Sequence, residues 1–187
     1  MPARVRCFVG LALPDGHRAA LAAHLEGCAL RAPGYRWVAA GDLHLTLRFL
    51  GGLEPAQLDR VRRALARVEG APFGIALDGM GTFGSRLSPR VAWLRVSDGV
   101  PACTALAEAV ETACRSAGLE PEARPFRAHV TVARQRREGE RMPPLPPAPV
   151  LPPWTVEDFV LYESRPDLPS TRYLPIERYL LRTSSGL

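Results

Sequence analysis

Two four-residue segments carry the residue types most able to do chemistry: His44-Leu45-Thr46-Leu47 and His129-Val130-Thr131-Val132. Both read His-x-Thr-x with an apolar residue at each x. Side chains of a β-strand alternate between its faces. The histidine and threonine of each segment therefore share one face, while Leu45, Leu47, Val130 and Val132 anchor the other in a core. A single such segment is common and reads as a core histidine. Two of them offer a pair of imidazoles and a pair of hydroxyls at fixed positions. Opposed imidazoles suit displacement at phosphorus: a neutral one takes a proton from the nucleophile and a protonated one gives a proton to the leaving oxygen. The ordinary histidine pKa of about 6.5 makes both forms accessible near neutral pH. The threonine hydroxyls can donate to non-bridging oxygens and stabilise the charge that develops there. This arrangement calls for no metal and no cofactor.

The elements that must position these segments can be read from the hydrophobic pattern. Residues 4–13, RVRCFVGLAL, form a predicted central strand ending at Pro14-Asp15, and a helix follows over residues 15–27. Residues 35–38 and 43–50 read as strands. Residues 55–68 read as an amphipathic helix, with Leu58, Val61, Leu65 and Val68 on one face and Arg60, Arg62, Arg63 and Arg67 largely off it. Two strands, 73–83 and 90–96, flank a Gly/Ser/Pro turn. A third helix over 101–117 presents Leu106, Val110, Ala113 and Ala117 and stops at Gly118. The strand RPFRAHVTVARQR (124–136) follows, then an extended, proline-rich 142–154, then two strands, WTVEDFVLYES and TRYLPIERYLL. Mixed β-α and β-β steps indicate an α+β protein with largely antiparallel sheets.

The same plan occurs twice. Val5 opens a strand, a helix follows, and His44 arrives 39 residues on; Val91 opens a strand, a helix follows, and His129 arrives after 38. A repeated strand-helix-strand unit can set two equivalent strands across a pseudo-two-fold axis, each presenting its His-Thr pair to one cleft.

Composition bounds the rest. A chain of 187 residues with 47% hydrophobic content fits one folded domain, or two small lobes sharing a core, rather than a disordered chain. The net charge of +5 favours anionic partners such as nucleic acid. All 24 of the Lys+Arg residues are arginine, so part of this charge is a compositional bias. Without a lysine or a G-x-x-x-x-G-K-[ST] loop, ligation through a lysine-nucleotidyl adduct is excluded. Cys7, Cys28, Cys103 and Cys114 have neither metal-site nor disulfide spacing and read as reduced, buried thiols. No apolar run approaches the roughly 18 residues of a membrane span, and a soluble, cytoplasmic protein without an obligate protein partner is expected.

The paired HLTL and HVTV motifs resemble the 2H phosphoesterase superfamily. With RCFVGLALP, DLHLTLRFLG, VAWL, RPFRAHVTVAR and FVLYES...TRYLPIERY, nearly the whole chain resembles its bacterial RNA 2′,3′-cyclic phosphodiesterase branch, the 2′-5′ RNA ligase-like proteins. The resemblance implies one domain over 1–187, built of two intertwined lobes. These would be pseudo-symmetric antiparallel sheets with helices outside and both motifs in a central cleft. It implies hydrolysis of an RNA-terminal 2′,3′-cyclic phosphate, or of a small cyclic nucleotide, to a 2′-phosphate, with reversible ATP-independent 2′-5′ ligation as the related reaction. His44 would be the proton donor to O3′ and His129 the proton acceptor from water, an exchange of these roles being the alternative. Thr46, Thr131 and Arg134 would hold the phosphate. Phe49 would stack on the terminal base, although strict alternation sends it to the face opposite His44. The rival reading is a non-catalytic RNA-end-binding module using the same basic cleft.

Other residues have plainer readings. Arg124, Arg127, Arg136, Arg137 and Arg141 form an electrostatic rim, Arg127 being a further site candidate, and Arg36 and Tyr35 could edge the cleft. His17 and His24 fit a solvated helix face, and Trp37, Trp93 and Trp154 fit core packing.

Overall fold

The computed structural model describes residues 4–139, 141–166 and 172–182, and every strand pairing in it is antiparallel. In chain order the elements are β1 (Val5–Ala12), α1 (Asp15–Arg31), β2 (Tyr35–Trp37), β3 (His44–Leu53), α2 (Pro55–Leu65), β4 (Phe73–Gly84) and β5 (Pro89–Asp98). They continue with α3 (Val100–Ser116), β6 (His129–Gln135), β7 (Trp154–Val156), β8 (Asp158–Ser164) and β9 (Tyr173–Leu180). The strands lie in the order β7-β4-β5-β6-β3-β1-β8-β9, with β2 also on β6. The repeated plan thus becomes two half-sheets, one centred on β1 and β3 and the other on β5 and β6. The bilobal α+β expectation describes this arrangement. The halves meet at β3 and β6 through one register pair, Leu45↔Val130. Beyond it β2 takes the same edge of β6, pairing Tyr35–Trp37 with residues 133–135, so β3 has no room to continue.

One face of the sheet carries the core. Val9, Leu11 and Leu45 from one half and Leu94, Val130 and Val132 from the other join a single buried cluster with residues from all three helices. The α2 stripe is confirmed in its centre, where Val61 and Leu65 are fully buried, while Leu58 and Val68 pack at its margin. At roughly 1.5–3 kcal/mol for each large aliphatic side chain withdrawn from water, this shared cluster holds the halves together far more strongly than their single ladder pair.

Several expectations shift for physical reasons. Helix α1 does not stop at Gly27 but runs to Arg31, because Cys28 is buried on the same stripe as Leu21 and Leu25 and its carbonyl accepts the Ala32 N–H. That packing outweighs the cost of about 1 kcal/mol for glycine in a helix. Helix α2 ends at Leu65, where Val68 turns back to the Leu65 carbonyl. The expected single strand WTVEDFVLYES breaks at Glu157, since β7 pairs with β4 at one end of the sheet and β8 with β1 near the other. Thr171, at the start of the last expected strand, lies outside the described residues. His17 is not solvated: it is buried, its Nε2–H donates to the Pro152 carbonyl at 2.8 Å, and its ring meets Trp154, pinning α1 to the proline-rich segment. His24 is half-buried against Cys28. The four cysteines are free and buried. Among the described residues no helix is long and apolar enough to cross a membrane.

Gly10 of β1 shows how tightly the site half is packed. A Cβ there would lie 2.8 Å from the Leu45 carbonyl oxygen and 3.5 Å from the His44 ring. The first neighbour is backbone and cannot swing aside. Gly10→Ala is therefore expected to cost about 1–3 kcal/mol, read as a lowered urea midpoint at unchanged slope; an unaltered midpoint would contradict the close approach.

Candidate active site

Both motifs sit on the face opposite the core, and each is followed by the same irregularity. Along β3, Val9 pairs with Arg48 and Gly10 with Thr46, leaving Leu47 as an extra residue. Along β6, Ala92 pairs with Ala133 and Trp93 with Thr131, leaving Val132 extra. These are matched bulges three residues after each histidine. In both strands the two residues at the bulge, Leu47-Arg48 and Val132-Ala133, are buried in succession. A bulge resets the alternation, so the fifth residue after each histidine returns to the histidine's face. Phe49 and Arg134 are those residues. Phe49 therefore does not point away, as strict alternation requires; it is half exposed, at 50%, and lines the cleft with Arg134.

The cleft has a volume of about 480 Å³ and brings together Thr46, Phe49, His129, Thr131 and Arg134. His44 reaches it through Thr46, whose hydroxyl lies 3.0 Å from His44 Nε2. A larger groove of about 660 Å³ under the proline-rich segment contains no histidine, so size does not select the site. The two imidazoles are held in the same way. His44 Nδ1 lies 2.7 Å from the Asp42 carbonyl and His129 Nδ1 lies 2.6 Å from the Arg127 carbonyl, each two residues upstream. A carbonyl can only accept, so Nδ1 carries the proton in both rings and Nε2 is the atom left to exchange one. In the neutral state Thr46 donates to His44 Nε2.

Their surroundings differ. His44 lies between Phe8 and Tyr173, with ring centroids at 4.6 and 4.8 Å. Burial pushes its pKa down to about 4 against the support of the Asp42 carbonyl, and the charges of Arg134, His129 and Arg18 push the same way. His129 is flanked more openly by Phe83 at 5.1 Å and Trp93 at 6.0 Å. Burial also lowers its pKa, opposed by the Arg127 carbonyl and aided by Arg134. Among the described residues no three His, Cys, Asp or Glu side chains converge as a metal-ligating group.

Some functional neighbours were not foreseen. Phe83, at the end of β4, and Phe126 line the cleft; Arg127, a site candidate already in the sequence, reaches it as well, its guanidinium 6.0 Å from the Phe83 ring centre. Trp93 is a site-edge residue rather than a core one, lying half-buried over Gly81, where a Cβ would come within 2.4 Å of the indole. Tyr35 is no cleft residue; it is buried and donates to the Pro89 carbonyl. Arg48, the second bulge residue of β3, is buried, ion-pairs with Glu111 of α3 and donates to the Glu120 carbonyl at 2.6 Å. It thereby ties the first motif to α3 and to the segment leading into His129. A charged residue inside the apolar run LTLRFL was the signal for it.

Duplicated strand histidines with backbone-locked Nδ1 atoms, one lining the cleft and the other reaching it through Thr46, define a two-histidine phosphoesterase architecture. A family model described as LigT like Phosphoesterase matches residues 11–93 and 95–173, and the chain belongs to that family, within the 2H phosphoesterase superfamily. It is 33% identical to the RNA 2′,3′-cyclic phosphodiesterase of Thermus thermophilus over 97% of this chain and 93% of that one. It is also 33% identical to the protein of that name from Geobacillus stearothermophilus, over 86% of this chain but only 52% of the longer relative. Crystal structures of Escherichia coli LigT superpose with TM-score 0.80 at 28% identity, over 97% of this chain and 99% of LigT in the apo form and 96% and 99% in the complex with 3′-AMP.

Arg48→Met is expected to destabilise the fold by about 3 kcal/mol, the low end for breaking a buried pair because Glu111 is partly exposed. Arg48→Lys should recover part of the loss. A double-mutant cycle with Glu111→Gln measures the coupling, and purely additive losses would show that the pair does not hold these elements together.

Proposed function

We propose that this protein hydrolyses RNA-terminal 2′,3′-cyclic phosphates to 2′-phosphates by metal-independent acid–base catalysis with two histidines. The observation that carries the reading is the equivalent locking of both Nδ1 atoms to backbone carbonyls, which leaves two Nε2 atoms for one phosphorus centre. The names of the relatives and the binding of 3′-AMP by Escherichia coli LigT support the substrate class.

In this reaction water attacks phosphorus in line with the departing O3′. His129 Nε2 accepts the water proton as the P–O bond forms, and His44 Nε2–H delivers a proton to O3′ as the P–O3′ bond breaks. The products are a 2′-phosphomonoester and a 3′-hydroxyl. The more open setting of His129 suits a base that must meet water. The enclosed setting of His44 suits an acid whose proton must not be lost to solvent. Thr46, Thr131 and Arg134 hold the non-bridging oxygens, and Phe49 stacks against the terminal base.

Incubation of a short oligoribonucleotide bearing a 2′,3′-cyclic phosphate, with EDTA present, should yield the 2′-phosphate. Binding without turnover would support the non-catalytic end-binding module instead, and a 3′-phosphate product would refute the regiochemistry. His44→Ala and His129→Ala should each lower kcat by at least 10²–10⁴-fold while the protein remains folded; full activity in either would end the two-histidine mechanism.

The pH profile follows from the electrostatics. The reaction needs one imidazolium, yet burial lowers the pKa of both rings in the free protein, that of His44 to about 4. A bound phosphate anion opposes this and raises them. The falling, alkaline limb of kcat/KM, which reports the free enzyme, should therefore begin below pH 6.5, and that of kcat should lie at higher pH. Coincident limbs near 6.5 would argue against a proton held by the bound anion.

A further inference from the structure

Three further depressions lie around the site, and their chemistry differs. Toward α3 the cleft adjoins a cavity of about 350 Å³ where Glu108, Glu111 and Glu122 contribute carboxylates and the nearby Arg48 and Arg124 are already engaged by Glu111 and Glu122. Beyond His44 lies a small cavity of about 180 Å³, walled by Tyr162 and Tyr173, whose Arg178 is held by Asp158. The first repels a polyanion, and the second is too confined for a chain of nucleotides. Arg36 of β2 pairs in register with Arg134 of β6, which places both on the cleft side of the sheet. The third, a separate depression of about 430 Å³ next along the chain of β6, is lined by Arg36, Gln135, Arg136 and Arg137. Gln135 and Arg136 are tethered, Gln135 to Ser88 and Arg136 through Nε to the Tyr35 carbonyl. Arg36, Arg136 and Arg137 have no carboxylate partner among the described residues, unlike Arg4, Arg62, Arg95 and Arg178 elsewhere on the surface.

We infer that Arg36, Arg136 and Arg137 form a track for the phosphodiester backbone upstream of the terminal nucleotide, so that the site is built for RNA ends rather than for cyclic mononucleotides. The inference rests on the proposed function and names its substrate more narrowly. An RNA chain whose cyclic end lies at Arg134 meets Arg36 next and then the paired cations past the end of β6. Guanidinium forks suit its phosphates. A cyclic mononucleotide carries its only phosphate between the histidines and does not reach the track. The two substrates therefore separate the track from the chemistry.

The test compares kcat/KM for a decaribonucleotide ending in a 2′,3′-cyclic phosphate with that for cytidine 2′,3′-cyclic monophosphate, in the intact protein. The double variant Arg36→Gln/Arg137→Gln should lose about tenfold on the decamer, roughly threefold per exposed ionic interaction, and stay within twofold on the mononucleotide. The slope of log(kcat/KM) against log[salt] for the decamer should become shallower by about 1.4, or roughly 0.7 for each single-strand phosphate that is no longer neutralised. Arg63→Gln/Arg67→Gln, on α2 and in the turn that follows it, makes the same charge change away from the cleft and should leave the decamer rate unaltered. Equal losses on both substrates, no loss on the decamer, or a matching loss in the α2 control would each overturn the track. Failure of the unmodified protein to turn over either substrate would instead overturn the function on which it rests.

Discussion

The site depends on escaping the two-residue period of a β-strand. Alternation alone can set a histidine and a threonine side by side, but it sends the fifth residue after the histidine to the core. One extra residue in each strand, Leu47 and Val132, corrects this at the same point in both halves. Each strand then offers three cleft-facing positions: histidine, threonine, and a third that differs between the halves. Phenylalanine holds that third position in one half and arginine in the other, so under the proposed function the repeat would supply common acid–base equipment and divide recognition between a ring and a charge. The bulge has a cost, since it turns Arg48 toward the core, and the ion pair with Glu111 together with the Glu120 carbonyl meets that cost.

Electrostatics in the cleft follow from the same packing. Aromatic neighbours take water away from both imidazoles, and Arg134 adds a like charge, so the empty site disfavours the protonated form of either ring. An anion lying between them reverses the balance. Under the proposed mechanism the catalytic proton would thereby be coupled to occupancy by a phosphate, because the free energy that raises the imidazole pKa values is the same free energy by which the protonated site holds the anion.

The sequence disclosed these features unequally. The histidines and threonines were legible because two copies of a short pattern recur at nearly equal distances from equivalent strands. The α+β class followed from the order of periodic segments. The bulges were not legible, since Leu47-Arg48 and Val132-Ala133 share no residue type that marks an inserted position. Without them the placement of Phe49 contradicted its expected role. Phe83 and Trp93 escaped because they meet the His129 ring from β4 and β5, strands without a motif, and Trp93 does so over Gly81, whose missing side chain only the pairing of the two strands explains. His17 looked solvated because its partner, the Pro152 carbonyl, is 135 residues away.

The single register pair Leu45↔Val130 has a mechanical meaning. It joins the half-sheets at the residues immediately following the two histidines. If one half-sheet rotates against the other, displacement grows with distance from that joint. The imidazoles then move least, while outlying strands such as β9 and β4 swing through the widest arcs. The joint thus ties the spacing of the two reacting groups to one pair of neighbouring backbone positions, while the shared apolar cluster holds the rest of the halves together.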